Sequence, residues 1–113
     1  MPAMNAGSID IGHVQENAQD AADLLRLLAN PHRLQVLCAL RGGEASVGEM
    51  ADHIGLSQSA LSQHLAKMRA DRIVATRRDG QTIFYRIADP DVLVLVGALA
   101  EVMERRRAAG SVR

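Results

Sequence analysis

Apolar positions along the chain follow a helical period, then a strand period, then a helical one again. Ala18, Ala21, Ala22, Leu25 and Leu28 recur at helical spacing and predict a first helix over about His13–Leu28. Asn30-Pro31 starts a second, with Asn30 as N-cap and Pro31 at the first helical position. This helix runs to about Leu40, and Gly42-Gly43 ends it. Leu34, Leu37, Cys38 and Arg41 share one of its faces, so Cys38 is expected to point inward. Ser46-Val47-Gly48-Glu49 has the spacing of a capping box. The helix it opens carries Met50, Ala51 and Ile54 inward and stops at Gly55. Ser57 then caps a helix over about Gln58–Ala70. Two short helices joined by a few residues with a glycine form a helix-turn-helix.

The strand period follows. Ile73–Arg78 and Thr82–Ile87 are rich in β-branched and aromatic residues, and Asp79-Gly80 between them signals a hairpin. Asp89-Pro90 opens a last helix bearing Val92, Leu93, Leu95, Val96, Leu99, Val102 and Met103. It ends in Arg105-Arg106-Arg107, which suits the negative end of its dipole. The predicted fold is mainly α with one β-hairpin, in the order α-α-α-α-β-β-α. Residues 1–12 and 108–113 are expected to be disordered tails around a single domain, 13–107.

Composition narrows the function. The chain has 113 residues and a hydrophobic content of 48%, but its only aromatic residues are Phe84 and Tyr85, so the core must be aliphatic. A domain this small closes a core poorly, and apolar residues cover more than half the circumference of the last helix. Both features favour a partner subunit. No apolar run approaches the roughly 20 residues of a membrane span, and residues 1–12 lack the pattern of a secretory signal. The single cysteine, Cys38, can form neither an internal disulfide nor a cysteine-rich zinc site, which fits a reducing cytoplasm. No Ser-His-Asp spacing, phosphate loop or carboxylate pair suggests an enzyme.

Net charge is zero, yet it is unevenly spread. Residues 57–87 carry six basic and two acidic side chains, whereas residues 1–56 carry three basic and seven acidic. Within the basic third, Leu61, Leu65 and Met68 fix the inward face of the 58–70 helix. The opposite face bears Ser59, Ser62, Gln63 and Ala66, with Lys67 at its edge. A merely solvated face would normally show Glu and Lys. Short side chains allow a close approach to a groove, and Gln and Ser can pair with base edges. Arg69, Arg72, Arg77 and Arg78 follow where phosphates would lie.

The run Leu56-Ser-Gln-Ser-Ala-Leu-Ser-Gln-His-Leu-Ala-Lys-Met-Arg69 closely resembles the recognition helix of the ArsR/SmtB family of bacterial winged-helix regulators. Asn30-Pro31-His-Arg33-Leu-Gln-Val-Leu37 resembles that family's second helix, and Thr76–Tyr85 its wing. The resemblance spans about Ala22–Met103 and is nearest the NolR-like and BigR/HlyU-like subgroups. It implies a homodimeric winged helix-turn-helix repressor of transcription, acting on double-stranded operator DNA with inverted symmetry. On this reading Ser57, Gln58, Ser59, Ser62 and Gln63 address base edges. His64 either supports the helix or reaches a phosphate, while Lys67, Arg77, Arg78, Gln81 and Thr82 hold phosphate or the minor groove. The dimer is expected to close through Leu24, Leu25, Leu28, Leu95, Val96, Leu99, Val102 and Met103.

The family's metal positions fall here on Ser46, Val47 and Gly48, and on Asp89, Asp91, Val102 and Arg105, which make no transition-metal site. No metal or other cofactor is expected. The dithiol switch of the sulfur and redox sensors would need a second cysteine near Glu104, and none is there. Cys38 is therefore read as a small core residue, with single-thiol redox control as the alternative. His13, His32 and His53 are read as surface or capping residues, Arg33 as an ion-pair anchor and Tyr85 as a core or dimer-facing residue. A competing reading from another class is a helical protein-interaction module whose last helix is the working surface.

Overall fold

A computed structural model describes residues 11–111. The chain divides into two compact units, residues 1–30 and 31–113. The expected disorder of residues 1–10 and 112–113 lies outside the described residues.

The first unit holds α1 (Gly12–Glu16) and α2 (Ala18–Leu28). The single helix expected here is interrupted at Asn17, whose backbone turns to φ −121° and ψ 39°. The Asn17 side-chain amide donates to the His13 carbonyl at 3.0 Å, and its backbone N–H donates to the same oxygen at 3.1 Å. An asparagine that bonds the preceding turn in this way competes with helix propagation. Asp23 then ties α2 together, accepting from Gln19 and pairing with Arg26.

The second unit contains α3 (Pro31–Leu40), β1 (Ala45–Ser46), α4 (Val47–Ile54), α5 (Gln58–Ala70), β2 (Val74–Asp79), β3 (Thr82–Ile87) and α6 (Pro90–Ala108). The strands form an antiparallel sheet in the order β1-β3-β2. The two-residue β1 was not visible in the sequence pattern. The second hairpin strand matches its expected bounds, and the first begins and ends one residue later than expected. At the turn, Asp79 pairs with Thr82. Gly80 has φ +63°, the positive first central angle that two-residue hairpins require.

The core is aliphatic, as the composition requires. Val36, Leu37 and Leu40 of α3, Met50 and Ala51 of α4, and Leu61, Leu65 and Met68 of α5 are buried with Ile73, Val74, Val92 and Val96. Two expectations for α3 are corrected. Cys38 is exposed, and Val36 takes the inward place beside Leu37 and Leu40. Arg41 is exposed as well, its guanidinium lying over Gly97, where an added Cβ would approach it to 3.4 Å. Because α3 is apolar on several sides, the packing against α4, α5 and α6 selects its buried seam.

Caps set where the two central helices begin. The Ser46 hydroxyl accepts from the Glu49 N–H at 3.2 Å, and the Glu49 carboxylate accepts from the Ser46 N–H at 3.0 Å, completing the capping box. These bonds hold the Glu49 carboxyl below the usual glutamate range. Gly55, in the left-handed region at φ +84°, closes α4. The Ser57 hydroxyl caps α5 by accepting from the Ala60 N–H at 3.2 Å. α5 ends in two reverse bonds, Ile73 N–H to Met68 O at 2.9 Å and Arg72 N–H to Arg69 O at 3.0 Å. This is a Schellman ending, with Arg72 at φ +62° where glycine is usual.

Candidate nucleic-acid interface

The wheel drawn from sequence is realised in α5. Leu61, Leu65 and Met68 have no solvent exposure, while Ser59, Ser62, Gln63, Ala66 and Lys67 are exposed. Ser57 and Gln58 are exposed at its start. α4 packs against α5, and its Met50 and Ala51 are buried in the core.

The N-terminal part of α5 and the hairpin turn border one open cleft of about 320 Å³. Gln58 and Ser62 stand on the α5 side, Gln81 and Thr82 on the hairpin side, and Ser46, Val47 and Gly48 at the base. The structure thus brings four of the sequence-predicted residues to one polar groove. It also adds the start of α4, which the sequence pattern pointed to as a helix cap and a metal position of the family but not as part of the DNA surface. Gly48 lies beside the Gln58 amide there, with which an added Cβ would make ordinary contact at 3.7 Å.

The basic residues divide into two kinds. Arg78 and Lys67 are exposed and enter no ion pair among the described residues. Arg77, expected to face phosphate, is exposed too, with its side chain 50% accessible, and it is also held on the surface of the sheet. It donates twice to the Glu44 carboxylate, from Nε at 3.1 Å and from Nη2, and lies 4.7 Å from the centre of the Phe84 ring. Its Nη1 is also 4.0 Å from Asp79. The Arg77 hydrogen bond holds the Glu44 carboxyl below the usual glutamate range, and Glu44 in turn raises the guanidinium. Sequence reasoning missed Glu44, because no local period links two residues 33 positions apart.

His64 is half-buried, with its ring against that of His32 on α3. On α6, Leu99, Val102 and Met103 are 37%, 39% and 44% exposed, and Leu95 is half-buried. Val96 is only 1% exposed and serves the chain's own core, so it has no surface to give a partner. In α2, Leu25 is exposed, Leu24 half-buried and Leu28 buried. Among the described residues no three of His, Cys, Asp or Glu come together as a metal site. No helix of those residues is long and apolar enough to cross a membrane.

A helix-turn-helix whose second helix presents a short, uncharged polar face beside a basic hairpin defines a winged helix-turn-helix DNA-binding protein. The description "Bacterial regulatory protein, arsR family" matches residues 30–76. The chain is 41% identical over 99 residues to the transcriptional activator HlyU of Vibrio cholerae, covering 88% of this chain and 92% of that one. It is 51% identical over 87 residues to the nodulation protein NolR of Rhizobium meliloti, covering 77% and 71%. The crystal structure of the transcriptional repressor BigR from Xylella fastidiosa superposes with a TM-score of 0.76 at 39% identity, over 83% of this chain and 96% of that one. The chain belongs to the arsR family of bacterial regulatory proteins and is a DNA-binding transcription regulator.

Proposed function

We propose that this protein is a cytoplasmic, homodimeric transcriptional repressor that reads an inverted-repeat operator and uses no metal. The observation that carries the reading is the shared cleft of α5 and the hairpin, with Gln58 and Ser62 facing Gln81 and Thr82. Ser57, Gln58, Ser59, Ser62 and Gln63 address the major groove. Lys67, Arg78, Gln81 and Thr82 hold the backbone or the adjacent minor groove. Two-fold symmetry through α6, centred on Leu95, Leu99, Val102 and Met103, sets the two α5 helices about one DNA turn apart, roughly 34–36 Å. Repression follows from excluding polymerase at the bound site. Selection of genomic fragments by the purified protein tests this reading. Recovery of a two-fold symmetric sequence from promoters supports it, and unenriched fragments refute it.

The exposure of Cys38 favours a second reading, in which a single thiol adjusts DNA affinity. Cys38 and His53 border two adjoining cavities of about 370 and 250 Å³, so an oxidant or sulfur donor has access. An affinity that shifts with peroxide in the wild type and not in Cys38→Ser supports this version. Identical behaviour of the two proteins removes it.

A further inference from the structure

One side chain crosses the middle strand of the sheet and reaches the residue just before the third. Arg77 stands on β2, its direct partner on β3 is Phe84, and the partner of Phe84 on β1 is Ser46. The guanidinium crosses the Phe84 ring at 4.7 Å and reaches the carboxylate of Glu44, the residue immediately before β1. The fork is bidentate, a geometry that a planar guanidinium can hold and a lysine ammonium cannot.

The position of this strap matters because the hairpin is otherwise weakly joined to the start of α4. The ladder between β1 and β3 has only two paired positions, Ala45 with Tyr85 and Ser46 with Phe84. Ser46 is also the residue whose side chain caps α4. Glu44 therefore ties the outer hairpin strand to the segment that starts the helix-turn-helix. We propose that Glu44, acting through Arg77, is a positioning residue of the DNA interface that fixes the wing relative to α5. This rests on the reading of α5 and the hairpin as one DNA surface. Arg77, exposed but paired, is on this account a strut, and Arg78, exposed and in no ion pair, is the wing's hand on the phosphate.

The test compares the wild type with Glu44→Gln, Arg77→Gln and the double variant, using a DNA fragment selected by the wild-type protein. Amide exchange of the hairpin is measured without DNA, and affinity is measured at several salt concentrations. Each single change is expected to speed exchange in β2 and β3 and to weaken DNA binding roughly 2- to 5-fold. The double variant should bind no worse than either single one, since both remove the same strap. The slope of log affinity against log salt should stay at the wild-type value. Tighter binding by Glu44→Gln would mean that Glu44 masks Arg77 from DNA. A slope reduced by about one in Arg77→Gln would mean a lost phosphate contact. Additive losses or unchanged exchange would show that the strap does not act as one unit. Any of these overturns the proposal. A wild type that selects no DNA refutes the interface itself, a failure seen before any variant is compared.

Discussion

His32 on α3 and His64 on α5 face each other with ring centres 5.1 Å apart and planes tilted by 50°. His32 is itself steadied by a hydrogen bond from its Nδ1 to Gln35 Oε1 at 3.1 Å. The pair joins the flank of α5 to α3. His64→Ala is therefore expected to lower stability by about 0.5–1.5 kcal/mol, the usual worth of a ring pair. It should leave the salt dependence of DNA binding untouched. Denaturant melts and salt titrations check both halves, and a slope reduced by about one would make His64 a phosphate contact.

Arg72 occupies the left-handed position of a Schellman ending, where a side chain crowds its own backbone. Arg72→Gly should relieve that crowding and stabilise the fold by about 1 kcal/mol. Urea denaturation reads this directly. An unchanged or lower midpoint would mean that the arginine side chain compensates for the strain.

How legible each part was depends on how local its cause is. The two faces of α5 were readable because three apolar residues at helical spacing, Leu61, Leu65 and Met68, leave only one inward side. The capping box was readable because its two bonds join residues three apart. Cys38 was misplaced because α3 has apolar residues at 34 and at every position from 36 to 40, too many for a period to choose among. Tertiary packing chose Val36 instead. The Glu44–Arg77 strap and β1 depend on strands meeting from distant parts of the chain, and nothing local announces them.

Since Cys38 is exposed, it should behave as a surface thiol. A chromogenic disulfide reagent should titrate one thiol per chain in the native protein. Cys38→Ser should change stability by less than about 0.5 kcal/mol, as surface substitutions usually do. A thiol that reacts only after unfolding would restore the core reading.

Leu99 lies on the exposed apolar side of α6 with Val102 and Met103. A glutamate there would place a charge inside the proposed dimer contact without entering the chain's own core. Leu99→Glu is expected to yield a folded monomer that no longer holds two half-sites together, losing operator binding at the same time. Light scattering and circular dichroism, read alongside DNA binding, check this. A variant that stays dimeric, or a wild type that is monomeric at micromolar concentration, would remove α6 as the interface.

On the proposed interface, Gln63 and Arg78 separate reading DNA from holding it. Gln63 projects from the exposed face of α5, opposite the buried Leu61 and Leu65. Its amide can pair bidentately with adenine, and that geometry exists only at the correct base. Gln63→Ala should therefore cost about 1–3 kcal/mol at the operator and little on random DNA. Arg78 sits on β2 opposite Ile83, exposed and outside the Glu44 strap. A charge offered to phosphate acts whatever the sequence, so on this reading Arg78→Ala should weaken operator and random DNA alike and reduce the salt slope by about one. Arg77, one residue earlier and already paired, should show no such change in slope. Fluorescence anisotropy on both DNAs across a salt series resolves the three. Equal losses on both DNAs for Gln63→Ala, or an unchanged slope for Arg78→Ala, would reverse the roles of reading helix and holding wing.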